Sequence, residues 1–207
     1  MKEKDNMESL AYNENKKYTY ENLEKIDDGN RYEIIDGELI MMAAPTSKHQ
    51  LILGDLFIEF TNFFKGKKCK PFISPLDVIL DNKGKKSQNV VQPDLMVVCD
   101  ENKIQNKIEG APDLVVEVLS KYNKKHDKLE KYHIYQKYGV KEYWIIDIEE
   151  GAAYVYILNN DNIYTLPRVY KIKETIESSI FKGLKISLKE TFKNNQNLLK
   201  EDEENYE

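Results

Sequence analysis

Apolar residues recur through "TSKHQLILGDLFIEFTNFFKGK" at positions 52, 53, 56, 57, 60, 63 and 64. That spacing covers one face of a 3.6-residue repeat. It predicts an amphipathic helix, begun by a Thr46/Ser47 cap and stopped at Gly66. Upstream, "YTYENLEKI" predicts a short helix capped by Thr19, with Glu21 and Glu24 near its N-terminus. "RYEIIDGELIMMA" sets Asp36-Gly37 between two apolar runs, the pair a type I′ hairpin selects because both central residues need positive φ. "KPFISPLDVIL", "VVQPDLMVVC" and "APDLVVEVLS" read as three strands, with "DNKGKKSQN" a turn between the first two. "NKKHDKLEKYHIYQKYG" reads as a helix ending at Gly139, and "KEYWIIDI" as a fourth strand. "AAYVYIL" and "NIYTLPRVYKI" predict an antiparallel hairpin, with a final strand or turn near "TIESSIFKGLKISL". A helix joining two apolar strands implies a mixed, partly parallel sheet with helices packed against it.

Composition narrows this α/β picture. The 207 residues are 41% hydrophobic, enough for one compact domain, placed over residues 18–192. Residues 1–17 and 193–207 are polar, charged and aperiodic, and are expected to be flexible tails. No apolar run approaches the roughly 20 residues that span a bilayer, and the N-terminus lacks a signal-peptide pattern, so a cytoplasmic protein is expected. Cys69 and Cys99 make neither a disulfide framework nor a CxxC site and read as small core residues. His49, His126 and His133 form no HExxH motif, which argues against a zinc hydrolase. The net charge of −5 excludes a global basic footprint for coating DNA, and only Arg31 and Arg168 among 31 basic residues are arginine.

The informative residues are acids inside strands. In "DLVVEVL", Leu114, Val116 and Val118 face one way, and Val115, Glu117 and Leu119 the other, so Glu117 is bracketed by apolar neighbours. Burying an ionised carboxylate costs several kcal/mol unless it is paired or binds a metal. Asp94 begins its strand behind Pro93, which removes one ladder donor. Two acids on adjacent strands suit a hard cation such as Mg²⁺, which takes oxygen ligands and keeps several waters. They equally suit pairing with lysine. On the following helix, Asp127, Lys131, Ile134, Tyr135 and Tyr138 fall within one arc. Lys131 then either forms an i,i+4 pair with Asp127 on a solvated face or reaches the strand acids to orient water or stabilise a phosphate.

The segments "RYEIIDGELIMMAAPTSKHQ", "SPLDVIL", "VVQPDLMVVC", "GAPDLVVEVLS" and "HDKLEKYHIYQKYGVKEYWIID" together resemble the Uma-two family of restriction-type endonucleases, within the PD-(D/E)XK nuclease superfamily. The resemblance covers about Tyr18 to Phe192. It implies a restriction-endonuclease-like fold, a central mixed sheet flanked by helices, and a metal-dependent phosphodiesterase site. By position, Asp94 matches the motif aspartate, Glu117 the motif glutamate, and Glu33 in "YEIIDG" an N-terminal acid of the same site. The pattern has lysine two residues after the glutamate, where this chain has Leu119; the resemblance transfers that role to Lys131. It thus implies Mg²⁺, with Mn²⁺ as substitute, held by Asp94, Glu117 and Glu33, and DNA as substrate. A homodimer follows by analogy, because restriction-like enzymes use two sites for two strands.

Asp77 interrupts the apolar strand "SPLDVIL" and is a second-tier candidate. His49, in the first turn of a helix, reads as solvated, with a phosphate contact as the alternative. Trp144 reads as core. The "KGKK" segments at 65–68 and 83–86 read as solvated loops able to track a DNA backbone. Two other functions stay open. One is a non-catalytic nucleic-acid- or protein-binding module on the nuclease fold, favoured by the net negative charge and the missing motif lysine. The other is a structural homodimer whose buried acids pair with lysine.

Overall fold

The computed structural model describes residues 17–119 and 130–193. Among these, the expected hairpin forms β1 (Tyr32–Ile35) and β2 (Glu38–Met41), with Asp36 at φ 47° and Gly37 at φ 84°. Both turn residues occupy the left-handed region that the Asp-Gly pair was expected to supply. The short helix α1 (Tyr20–Leu23) follows its Thr19 cap. The long helix α2 (Ser47–Phe64) has Thr46 as its N-cap, whose hydroxyl accepts from the His49 amide at 3.2 Å. Its buried face carries the apolar residues that the periodicity picked out. Thr46→Ala removes that acceptor, so the denaturation midpoint should fall by an equivalent of about 1 kcal/mol with an unchanged m-value.

Two segments read as single strands are each divided between sheets. "KPFISPLDVIL" forms β3 (Lys70–Ile73) and β4 (Val78–Ile79), separated by the cis Ser74–Pro75 bond. "VVQPDLMVVC" forms β5 (Val90–Val91) and β6 (Leu95–Val98), separated by Gln92, Pro93 and Asp94. Proline lacks the ladder N–H, so both breaks fall where continued pairing would be weakest. The remaining strands are β7 (Ile108–Glu109), β8 (Leu114–Leu119), β9 (Glu142–Asp147), β10 (Ala152–Ile157), β11 (Arg168–Lys171), β12 (Thr175–Glu177) and β13 (Lys185–Ser187). Helices α3 (Tyr132–Tyr138) and α4 (Leu188–Lys193) complete the described elements. α4 was not expected from the sequence.

A five-stranded sheet runs β2-β1-β5-β4-β7, a six-stranded sheet β11-β10-β9-β8-β6-β3, and β12-β13 form a separate hairpin. The six-stranded sheet is antiparallel except for β8 and β9, the parallel pair flanking α3. This is the mixed sheet expected from a helix between two apolar strands. One face, with Leu95, Val97, Val116 and Trp144, packs against α2, α4 and the β12-β13 hairpin. The other, with Met96, Val115, Leu119 and Tyr143, packs against α3 and the five-stranded sheet. Trp144 is fully buried, its ring 5.5 Å from that of Phe60 in an edge-on contact. The cysteine reading is corrected: Cys69 and Cys99 form a disulfide across β3 and β6, one step beyond the Lys70↔Val98 pair. That register brings together residues 30 positions apart, and spacing alone carries no trace of it.

Candidate active site

The alternation expected for β8 holds. Leu114, Val116 and Val118 enter one core, while Val115 and Leu119 enter the other, the side on which Glu117 also lies. Glu117 is 4% exposed. Its Oε1 lies 3.0 Å from the Lys131 ammonium and accepts a 2.7 Å hydrogen bond from the Tyr135 hydroxyl. Lys131 and Tyr135 are four residues apart, one turn of helix, and so meet the same oxygen from one face. Burial, reinforced by the charges of Glu117 and Glu33, pushes the Tyr135 phenol well above its ordinary value, keeping it a neutral donor.

Glu33 arrives from β1, 3% exposed. Its Oε1 lies 3.0 Å from the same ammonium and accepts the Gln92 amide at 2.7 Å. That amide is available because the chain leaves β5 at Gln92 to change sheets. Lys131, itself 3% exposed, is therefore shared by two carboxylates from different sheets. The salt bridge pictured between Lys131 and Asp127 falls on a residue outside the described ones.

Asp94 sits at the end of the sheet crossing. Extending the Leu95↔Val116 register by one step places it opposite Glu117. Its Oδ2 accepts the Val118 amide at 2.8 Å and lies 3.0 Å from His49 Nε2. A carboxylate only accepts, so Nε2 carries the proton in this contact. His49 is therefore not the solvated helix-start residue expected: it is buried, held at the start of α2 by the Thr46 cap, and turned onto Asp94. Among the described residues, none donates a hydrogen bond to Asp94 Oδ1.

The structure thus joins Glu33, Glu117 and Lys131 by direct contact and sets Asp94 beside Glu117 by register. Tyr135, Gln92 and His49 were not assigned to the site beforehand. Tyr135 could have been found from its i+4 relation to Lys131. Gln92 gives only the weak signal of preceding Pro-Asp, and His49 gives none, because its partner is 45 residues away. Among the described residues, no group of three His, Cys, Asp or Glu side chains converges on a single point to hold a metal. Magnesium does not need such a cage; one or two carboxylates with waters and substrate phosphate suffice. The facing pair Asp94 and Glu117, with Asp94 Oδ1 open, has the hard-oxygen chemistry for that mode, while Glu33 Oε1 is turned to the lysine and the Gln92 amide.

The sequence profile of the Uma2 family, whose description reads "Putative restriction endonuclease", matches residues 18–189. The chain belongs to the Uma2 family. An uncharacterized protein of Synechocystis sp. (strain PCC 6803) is 27% identical over 133 residues, spanning 63% of this chain and 68% of that relative. Among solved structures, a protein of Anabaena variabilis ATCC 29413, titled a putative nuclease belonging to DUF820, superposes with a TM-score of 0.69. It is 21% identical, and the match covers 84% of this chain and 97% of that one. That likeness establishes the fold, a mixed α/β architecture. Within the Uma2 match lie Glu33, Asp94, Glu117 and Lys131, together with the cap that positions His49. No helix among the described residues is long and apolar enough to cross a membrane.

Proposed function

We propose that this Uma2 chain is a magnesium-dependent endonuclease that hydrolyses phosphodiester bonds of DNA in the cytoplasm, through the unit spanning residues 18–192. The observation that carries the reading is the Lys131 ammonium, 3.0 Å from both Glu33 and Glu117, beside the facing pair Asp94 and Glu117. Asp94 and Glu117 would hold the cation, with Mn²⁺ as a substitute. When bound, it would supply positive charge against the phosphoryl oxygens. The residues supply the rest. Glu33 and Tyr135 fix the lysine and the glutamate, so neither must reorganise as charge develops. Lys131 directs a positive N–H toward the attacking water or the charge building on phosphorus. His49 and the Val118 amide hold Asp94 Oδ2, leaving Oδ1 to the cation; such outer partners orient metal ligands. A homodimer would present two such sites to two strands.

Purified protein should nick supercoiled plasmid in Mg²⁺ or Mn²⁺ but not in chelator, and Glu117→Gln should lose about a hundredfold or more of the rate. Failure to cleave DNA or RNA with either ion, together with an identical metal response in the variant, would refute the reading. A second reading has its own support: the Lys131 ammonium is engaged by both Glu33 and Glu117, so the buried acids have a cationic partner within the chain itself. A structural homodimer without ligand would show that pairing, and so would a non-catalytic binding module on this fold. The module predicts nucleic-acid binding that falls with salt and ignores divalent ions beyond their ionic strength.

A further inference from the structure

The two sheet crossings, Ser74–Asp77 and Gln92–Asp94, run side by side, joined by the Ser74 amide donating to the Asp94 carbonyl at 3.0 Å. Outside them opens a groove of about 770 Å³, within the range of ligand sites, lined in part by Tyr20, Asp77, Gln92, Asn106 and Lys107. Among the described residues, Asp77 has neutral hydrogen-bond donors alone: Gln92 Nε2 at 2.8 Å and the Tyr20 hydroxyl at 3.1 Å. Burial, followed by the charge of Asp77, pushes the Tyr20 phenol up to about 12, so it remains a donor. Gln92 Oε1 is buried and accepts no hydrogen bond. The same residue's backbone amide holds Glu33, which contacts Lys131. A continuous chain of polar contacts therefore runs from the groove wall to the lysine of the candidate active site.

The lining chemistry selects a class of ligand. Glu24, Asp77 and Glu109 bring three carboxylates, and Lys107 the one ammonium among the described lining residues. Lys107 lies 4.0 Å from Glu109, and Lys85 reaches Glu24 at 3.3 Å from outside the lining. Among the described residues Asp77 has no such partner, so the groove repels phosphate at its inner wall and favours hydrogen-bond donors. Pro75 and Leu76 add apolar surface for a flat ring. Exocyclic amines of adenine, cytosine and guanine are donors of this kind, whereas thymine has no exocyclic amine and offers only its ring N3–H.

We propose that this groove is a base-reading subsite, taking an unpaired nucleobase with an exocyclic amine, such as adenine or cytosine, against Asp77 and Gln92. The proposal rests on the nuclease reading for its substrate, and binding without metal separates the two. Fluorescence anisotropy in chelator, with labelled oligo-dA, oligo-dC and oligo-dT, reads the subsite directly on the full chain. Wild type should bind oligo-dA and oligo-dC about fivefold more tightly than oligo-dT, the effect of about one hydrogen bond. Asp77→Asn should bring that ratio close to one. Glu109→Gln, on an exposed side chain of the groove lining whose one ion-pair contact among the described residues is Lys107 at 4.0 Å, should reduce it if Asp77→Asn fails to fold. Equal affinity of wild type for the three oligomers, no binding of any, or an unchanged preference in folded variants overturns the subsite. Selective binding without cleavage in Mg²⁺ or Mn²⁺ would remove hydrolysis and leave the subsite standing; cleavage with unselective binding would do the reverse.

Discussion

Lys131→Met is expected to lower DNA cleavage by about a hundred- to a thousandfold and to cost roughly 3–5 kcal/mol of stability. The two losses share one cause. The ammonium stands 3.0 Å from Glu33 Oε1 and from Glu117 Oε1, with all three residues at least 96% buried. Removing one partner of a buried ionic group costs more than the pair contributed, because the remaining charge stays desolvated. Methionine matches the lysine stem in length, so packing is preserved and the charge is what disappears. Lys131→Arg keeps the charge but spreads it over a planar fork, and it should recover most of the stability and less of the cleavage. Urea denaturation of both variants, with plasmid nicking under conditions where each is folded, checks the pair. A magnesium-induced rise in Tm should be larger in Lys131→Met than in wild type, because a cation near Glu117 then replaces charge the ammonium supplied. Undiminished cleavage by a folded Lys131→Met would remove the lysine from the mechanism. Lost stability without any metal response would favour the binding module.

Local elements of this fold were legible where one physical rule dominates. Helix α2 follows from a single apolar face between a threonine cap and a glycine, and the β1-β2 turn follows from the positive φ values of Asp36 and Gly37. The two-faced burial of β8 followed from alternation, and it singled out Glu117 as an acid needing a partner. Asp94 was singled out with it, as an acid on the adjacent strand behind Pro93, whereas Glu33 entered the site through the family resemblance, since alone it is an ordinary strand acid. What stayed hidden depends on how elements meet. The division of two apolar segments between sheets leaves only Pro75 and Pro93 as signs, because both halves of each segment are equally apolar. The Cys69–Cys99 bond depends on the β3-β6 register. His49 reaches Asp94 only because the start of α2 lies over the start of β6, a tertiary fact with no local signature.

The same lesson applies to Glu142, which the sequence presents as the polar first residue of an apolar strand. Glu142→Ala is expected to destabilise the protein by roughly 3–5 kcal/mol, a large fraction of the 5–15 kcal/mol typical of a domain. Glu142 is fully buried on the α2 side of the six-stranded sheet. Its Oε1 accepts from Trp144 Nε1 at 2.9 Å, and its Oε2 accepts from the Ser178 hydroxyl at 2.8 Å and the Ile180 amide at 3.2 Å. The Ser179 amide lies 3.1–3.2 Å from both oxygens. One carboxylate thus satisfies an indole and three donors from the loop between β12 and β13, docking that hairpin onto the sheet. Alanine leaves those donors without their acceptor, each a cost of about 1–3 kcal/mol unless water enters. Glutamine retains one oxygen but turns an NH₂ toward groups that, the Ser178 hydroxyl apart, can only donate, so Glu142→Gln should fall between wild type and alanine. Because Glu142 and Glu117 lie on opposite faces of the sheet, metal-dependent cleavage by the folded fraction should be unchanged in both variants. Denaturant titration followed by Trp144 fluorescence provides the measurement. A midpoint for Glu142→Ala within about 0.5 kcal/mol of wild type, the range of ordinary surface substitutions, would show that the loop is held by its apolar contacts instead.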